Sequence, residues 1–226
     1  MGASAVRVVK RMPSSKATAG FSLLELLLAL ALGLVLSGLM LQGLIDEGHN
    51  GQRLARLLRE RAVQRRALAL VKAEVALATA VSTTPQLETH ACSLAGRQPV
   101  LHLSTAAGAI TYSVGAAPSA IWRGQVLMRC GPAYGLNGQL SAAGPPQNRV
   151  VIDGLAERPE PWSGCSALLG AAARTPVDLG GSSTWAFSAC LEPSARLLAV
   201  RLLQEFSPLK GGKRQHISLS ALLASP

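Results

Sequence analysis

The residues best placed to do chemistry lie near the N-terminus, in the run Gly20-Phe21-Ser22-Leu23-Leu24-Glu25. A basic stretch precedes it and an apolar one follows. An ordinary secretory signal is cut after its apolar stretch. Here no small-x-small site precedes a polar boundary on the far side, so processing is expected before the stretch, and Gly20–Phe21 is a candidate junction. The hydrophobic segment then stays with the mature chain. Cleavage there would free an α-amino group on Phe21, one helical turn from Glu25. A carboxylate inside a membrane helix costs several kcal/mol unless it is paired or near the interface, so Glu25 needs a partner. The new amine is the nearest cation. The two can pair within one chain, or between staggered chains, where the attraction would set the axial register of a helical bundle. The plainer alternative is a signal-anchor segment with a Glu near its cytoplasmic end.

Other reactive residues form no catalytic pattern. His49, His90, His102 and His216 are far apart in sequence and lack the H-E-x-x-H spacing. There is no G-x-S-x-G elbow, Walker loop or G-x-G-x-x-G. Asp153 with Glu157 or Glu160 is a nominal acid pair, but Gly154 and Pro159 suggest an exposed loop, and a calcium site there has no support. Neither an enzyme nor a cofactor or metal is expected. Cys92, Cys130, Cys165 and Cys190 all follow the apolar block. An even number in that region fits two disulfides in an oxidising compartment, and the absence of C-x-x-C argues against zinc. Three pairings are open, with Cys92–Cys130 and Cys165–Cys190 preferred because they close at the shortest combined separation. Four reduced core thiols are the alternative.

The elements that carry these residues follow from charge and periodicity. Of the 22 Lys and Arg residues, four (Arg7, Lys10, Arg11, Lys16) lie in residues 1–20, which contain no acid. Leu26 to Leu41 holds no charge and one hydroxyl, Ser37. The 25 residues from Phe21 to Ile45 would span about 37 Å as a helix at about 1.5 Å per residue, enough for a bilayer core of roughly 30 Å. Asp46 and Glu47 follow. Positive-inside asymmetry leaves the leader in the cytoplasm and the rest outside.

A second helical pattern runs from Gln52 to about Val81. Leu54, Leu57 and Leu58 open its apolar face, and Leu68, Val71, Val75 and Ala78 continue it. Arg53, Arg56, Arg59, Arg65 and Arg66 fill much of the rest. That basic face suits lipid headgroups, neighbouring subunits or DNA, or simply solvent. No aromatics alternate with the arginines to form a base-stacking platform.

After Thr83-Thr84-Pro85 the pattern becomes short strands. They are expected at Val100–Leu103, Ile110–Val114, Ile121–Arg123, Val126–Cys130, Val150–Ile152, Trp185–Phe187, Arg196–Leu203 and Ile217–Ala221. A hairpin is expected at Arg123-Gly124-Gln125, and loops at Gly131–Asn148 and Pro159–Gly181. No helical crossovers separate the strands, so the sheet should be antiparallel. The fold class is α+β, a long N-terminal hydrophobic helix packed on a C-terminal antiparallel β-sheet. The expected segments are 1–20 (leader, removed), 21–45 (transmembrane and assembly helix), 46–82 (amphipathic Arg-rich helix) and 83–226 (extracytoplasmic β-rich domain with disulfides).

The string Gly20-Phe21-Ser22-Leu23-Leu24-Glu25-Leu26, after a basic leader and before a hydrophobic helix, resembles the processing and methylation motif of type IV prepilins. The resemblance covers about a tenth of the chain. It implies a membrane prepilin peptidase that cuts after Gly20 and methylates Phe21. It also implies that Glu25 neutralises the N-terminus of a neighbouring pilin or pseudopilin subunit during assembly. Location would be the inner membrane, single-pass, and then a filament. Major pilins often carry a proline inside this helix, whereas here none lies between Pro13 and Pro85, which points to a minor subunit. The arginine-rich helix, with Tyr112, Trp122-Arg123 and Asp153 beyond it, loosely resembles PilW-type minor pilins. The same layout resembles J-type pseudopilins of type II secretion. A competence or adhesion subunit that binds DNA or a surface is the alternative from another class.

Overall fold

The computed structural model describes residues 22–170, 175–192, 196–207 and 214–224. The chain divides into two compact units, residues up to Asn50 and residues from Gly51 onward. Helix α1 (Leu23–Leu77) supplies the described part of the first unit and opens the second. In the first unit the helix is apolar and bare. Its most apolar 18-residue window has a mean hydropathy of 2.4 and no buried residue, which makes α1 long and apolar enough to cross a membrane.

The second unit is a curled antiparallel sheet with the later part of α1 packed on it. Its strands are β1 (Ala78–Val81), β2 (Gln98–Thr105), β3 (Gly108–Ala116), β4 (Gln125–Gly131), β5 (Gln147–Leu155), β6 (Val177–Asp178), β7 (Phe187–Glu192), β8 (Leu197–Phe206) and β9 (Gln215–Ala224). A one-turn helix, α2 (Cys165–Leu169), sits between β5 and β6. The order is β1-β2-β3-β4-β5-β8-β7-β6, with β9 also paired to β8. The β5–β8 junction is a single residue pair, Leu155 with Gln204, which joins a meander of β1–β5 to the group formed by β6–β9.

Strand alternation decides what packs where, because successive side chains face opposite sides of a sheet. Leu101, Leu103, Ile110, Tyr112, Val114, Leu127 and Ile152 share one core with Phe187, Ala189, Leu198, Val200 and Leu202. From α1, Ala67, Leu68, Val71 and Val75 enter this core. The opposite face is also covered over β2–β4. There the segment before β2 lies across the sheet, with the His90 ring bonded to Thr111 of β3 and Cys92 bonded to Cys130 of β4. The second disulfide, Cys165–Cys190, ties α2 to β7.

Several local expectations are corrected. The helix ends at Leu77, not near Val81, because Ala78–Val81 leaves it to pair with β2, and Thr79 Oγ1 donates to Ser104 O at 3.1 Å. Ile121–Arg123 is a turn rather than a strand: Trp122 N–H bonds Ser119 O, and the backbone N–H of Arg123 goes to the Asp153 carboxylate instead of a neighbouring strand. The hairpin partner of β4 is therefore β3, across residues 117–124. Trp185 and Ala186 precede β7 rather than opening it. Pro159–Gly181 contains α2, β6 and the start of a 3-10 segment, Leu179–Thr184. Asp153 lies within β5, not in an exposed loop. Gly154 next to it takes φ +66°, a left-handed value that glycine adopts without a Cβ penalty, and donates its N–H to Arg123 O.

Candidate functional site

Gly20 and Phe21 lie outside the described residues. Ser22 opens the helix as a cap: its carbonyl accepts from the N–H groups of Glu25 and Leu26, and its Oγ accepts from the N–H of Leu24 at 3.3 Å. Glu25 stands in the first turn and is exposed. From Leu23 to Ile45 the large apolar side chains are exposed as well. A helix apolar all round belongs inside lipid or a bundle of similar helices. Glu25 is the one charged residue from Leu23 to Ile45, so its carboxylate is the one group there able to form an ion pair.

In the second unit, α1 is held by buried polar contacts as well as by its apolar face. Glu60, Gln64, Ala67, Leu68, Val71, Glu74 and Val75 are all buried, at three- and four-residue steps that mark one side of a helix. Glu74 is fully buried and accepts from three donors. Arg129 Nε reaches Oε1 at 2.6 Å, Tyr134 OH reaches Oε1 at 2.7 Å, and Tyr112 OH bonds Oε2. The Arg129 guanidinium also lies over the Tyr134 ring, 5.3 Å from its centre. A buried charge pair of this kind is weak evidence for net stability. Removing one partner, however, typically costs about 3–5 kcal/mol because it strands the other. Burial, then the Glu74 hydrogen bond and charge, push Tyr134 up to about 12, against the opposing charge of Arg129. Tyr112 is raised well above the ordinary tyrosine value, mainly by burial and then by Glu74.

A second clamp sits where Arg123 joins helix to strand. Its Nη1 meets Glu60 Oε1 at 3.0 Å and its Nη2 meets Asp153 Oδ1 at 3.0 Å. Nε and the backbone N–H of Arg123 both donate to Asp153 Oδ2. Burial alone would raise Asp153, but the Arg123 bonds and charge outweigh it and hold the carboxyl below its usual value.

The structure brings His90 and His102 together, with ring centres 5.8 Å apart and each ring bonded to Thr111 Oγ1. Burial is the main cause that lowers His102. Among the described residues no group of three His, Cys, Asp or Glu could hold a metal ion. Arg53, Arg59, Arg65 and Arg66 are exposed and Arg56 is half-buried, so most of the basic face of α1 is accessible. Leu54 and Leu58 are exposed, unlike Leu68, Val71, Val75 and Ala78. The face expected to be apolar throughout is therefore buried only in its later part.

Sequence patterning missed Glu60, Glu74, Arg129 and Arg201. The available signal was that Glu60, Gln64 and Glu74 keep the spacing of the buried apolar positions, so that acids on the core face call for buried donors. Comparison with protein-family models, curated proteins and solved structures gives no match. The likeness to pilins is one of architecture, a long apolar N-terminal helix ahead of a C-terminal antiparallel sheet.

Proposed function

We propose that the chain is a minor subunit of a type IV pilus-like filament, made as a precursor and cut after Gly20 by a prepilin peptidase. The observation that carries this reading is the bare apolar helix from Leu23 with one carboxylate, Glu25, in its first turn. Such a helix can wait in the inner membrane and then pass into a bundle of like helices, where Glu25 meets the amine of a neighbour's Phe21. The role is mechanical rather than catalytic, and the disulfide-bonded sheet domain presents contacts to other subunits or to cargo. A J-type pseudopilin of type II secretion is the variant of this reading in another filament system.

N-terminal mass mapping of the purified membrane protein tests it. The expected mature chain begins at N-methyl-Phe21, and Gly20→Ala should impair cutting much less than a bulky replacement. An intact Met1 terminus would sink the proposal in favour of a plain membrane anchor. The exposed arginines of α1 support one further role, DNA capture. Salt-steep retardation of DNA by the detergent-solubilised chain would favour that role, and no retardation at low salt would remove it.

A further inference from the structure

The face of β7–β9 opposite the main core carries a buried cation that, among the described residues, touches no counter-charge. Arg201 of β8 pairs across the sheet with Ser188 of β7 and with Ser220 of β9. It is 7% exposed. Its Nη2 donates to Glu160 O, Ser183 O, Trp185 O and Ser188 Oγ, all neutral acceptors. Its Nε is buried without a partner. The Trp162 ring lies against the guanidinium, 5.7 Å from centre to carbon. Burial lowers Arg201 from the ordinary arginine value, and the charge of Glu160 only partly offsets this.

A buried charge is costly unless it is paired; neutral dipoles fix this one in place, and the Glu160 charge offsets its burial only in part. Arg201 also lines a cleft of about 400 Å³, together with Arg158, Trp162, His216, Ser218 and Ser220. Ser218 and Ser220 are exposed along β9, and Arg158 is exposed at the rim. The cleft therefore combines two guanidiniums, the Glu160 carboxylate, the His216 imidazole, two hydroxyls and an aromatic wall. The cleft is half open and its lining is mostly polar, with Trp162 and Leu203 as its apolar wall, and convergent polar groups in a concavity are what fix a ligand's orientation.

We infer that this cleft binds a carboxylate, carried either by a small organic acid or by an acidic side chain of a neighbouring protein. The fixed charges favour a monoanion: Arg158 and Arg201 against Glu160 leave one net positive charge. Guanidinium matches the planar, two-oxygen geometry of a carboxylate. The volume exceeds what a bare ion needs, so the acid would bring a short body to rest against Trp162. The inference is independent of the filament reading.

The test uses the full chain in non-ionic detergent, with calorimetry and tryptophan fluorescence as readouts. One arm titrates sodium glutarate, the other an end-blocked Gly-Gly-Asp-Gly-Gly peptide, and both are compared with sodium chloride at matched ionic strength. Saturable binding of glutarate alone supports the site with a small acid as its ligand. Saturable binding of the peptide, alone or tighter than glutarate, supports it with a protein partner. Arg158→Gln should weaken the binding constant about tenfold, and Ser218→Ala with Ser220→Ala by a few fold. Arg158 is the better target because Arg201 also ties four groups of the fold together. If neither probe binds above the chloride control, or if Arg158→Gln and the double serine variant leave affinity unchanged, the inference is overturned.

Discussion

Three carboxylates on α1 illustrate how one residue type takes different work from its surroundings. Glu25 is exposed in the first turn of an apolar helix. On the filament reading, Glu25→Ala should leave cutting at Gly20 largely intact while filament incorporation, followed by immunoblot of sheared filaments, drops sharply. Normal incorporation would remove the charge-pairing role. Glu74 is its opposite, sealed in the core with Tyr112, Arg129 and Tyr134, and Glu60 lies between these extremes, with Arg123 as its partner. The tyrosines around Glu74 make stability sensitive to alkali. Tyr134 titrates near 12 in the folded chain against an ordinary value of 10.0. The unfolded chain therefore loses that proton first, and the contribution is fully present below pH 10 and lost as pH rises through about 12. Tyr112 acts in the same direction. The denaturation midpoint should fall across that window, and Tyr134→Phe should flatten part of the slope while Tyr112 retains the remainder.

At the scale of elements, α1 changes its environment along its length. Before Ile45 its apolar residues face outward, whereas Ala67, Leu68, Val71 and Val75 face the sheet. Val71 has no exposed surface, so Val71→Ala should cost about 2 kcal/mol through lost burial and the residual cavity. Leu54→Ala, at an exposed site, should stay within about 0.5 kcal/mol. Chemical denaturation of both variants checks the contrast, and equal losses would mean that the two leucine-rich stretches share one buried face. The strands were legible wherever apolar alternation was strong, as in Ile217–Ala221 within β9 and Ile110–Val114 within β3. Ile121–Arg123 read as a strand by composition, but its polar bonds run to Asp153 and Glu60. Ala78–Val81 kept helical spacing and still joined the sheet, because β2 offered its edge.

For the whole molecule, each disulfide staples a segment outside the sheet onto a strand, the one before β2 onto β4 and α2 onto β7. Cys92–Cys130 closes a separation of 38 residues and Cys165–Cys190 one of 25, each worth about 3–4 kcal/mol in the chain-entropy account. Cys92→Ser with Cys130→Ser should lower the denaturation midpoint, with the loss greatest if the segment before β2 detaches. An unchanged midpoint would mean that His90, Thr111 and their neighbours hold that segment by themselves. The single residue pair between β5 and β8 leaves Leu155, Ala156 and the shared core to join the two parts of the sheet.

The sequence alone determined the apolar helix, the α+β class and the position of Glu25, because these rest on local periodicity and on runs of like residues. It also made Gly20 and Phe21 stand out, through order along the chain rather than through contact. Only the tertiary structure decided that Glu74 would gather Arg129 and two tyrosines, that Arg123 would bridge Glu60 and Asp153, and that Arg201 would be buried against Trp162. Those partners are separated by 30 to 63 positions in the chain. No local pattern encodes such distances; they are fixed when the strands choose their register and the helix settles on the sheet.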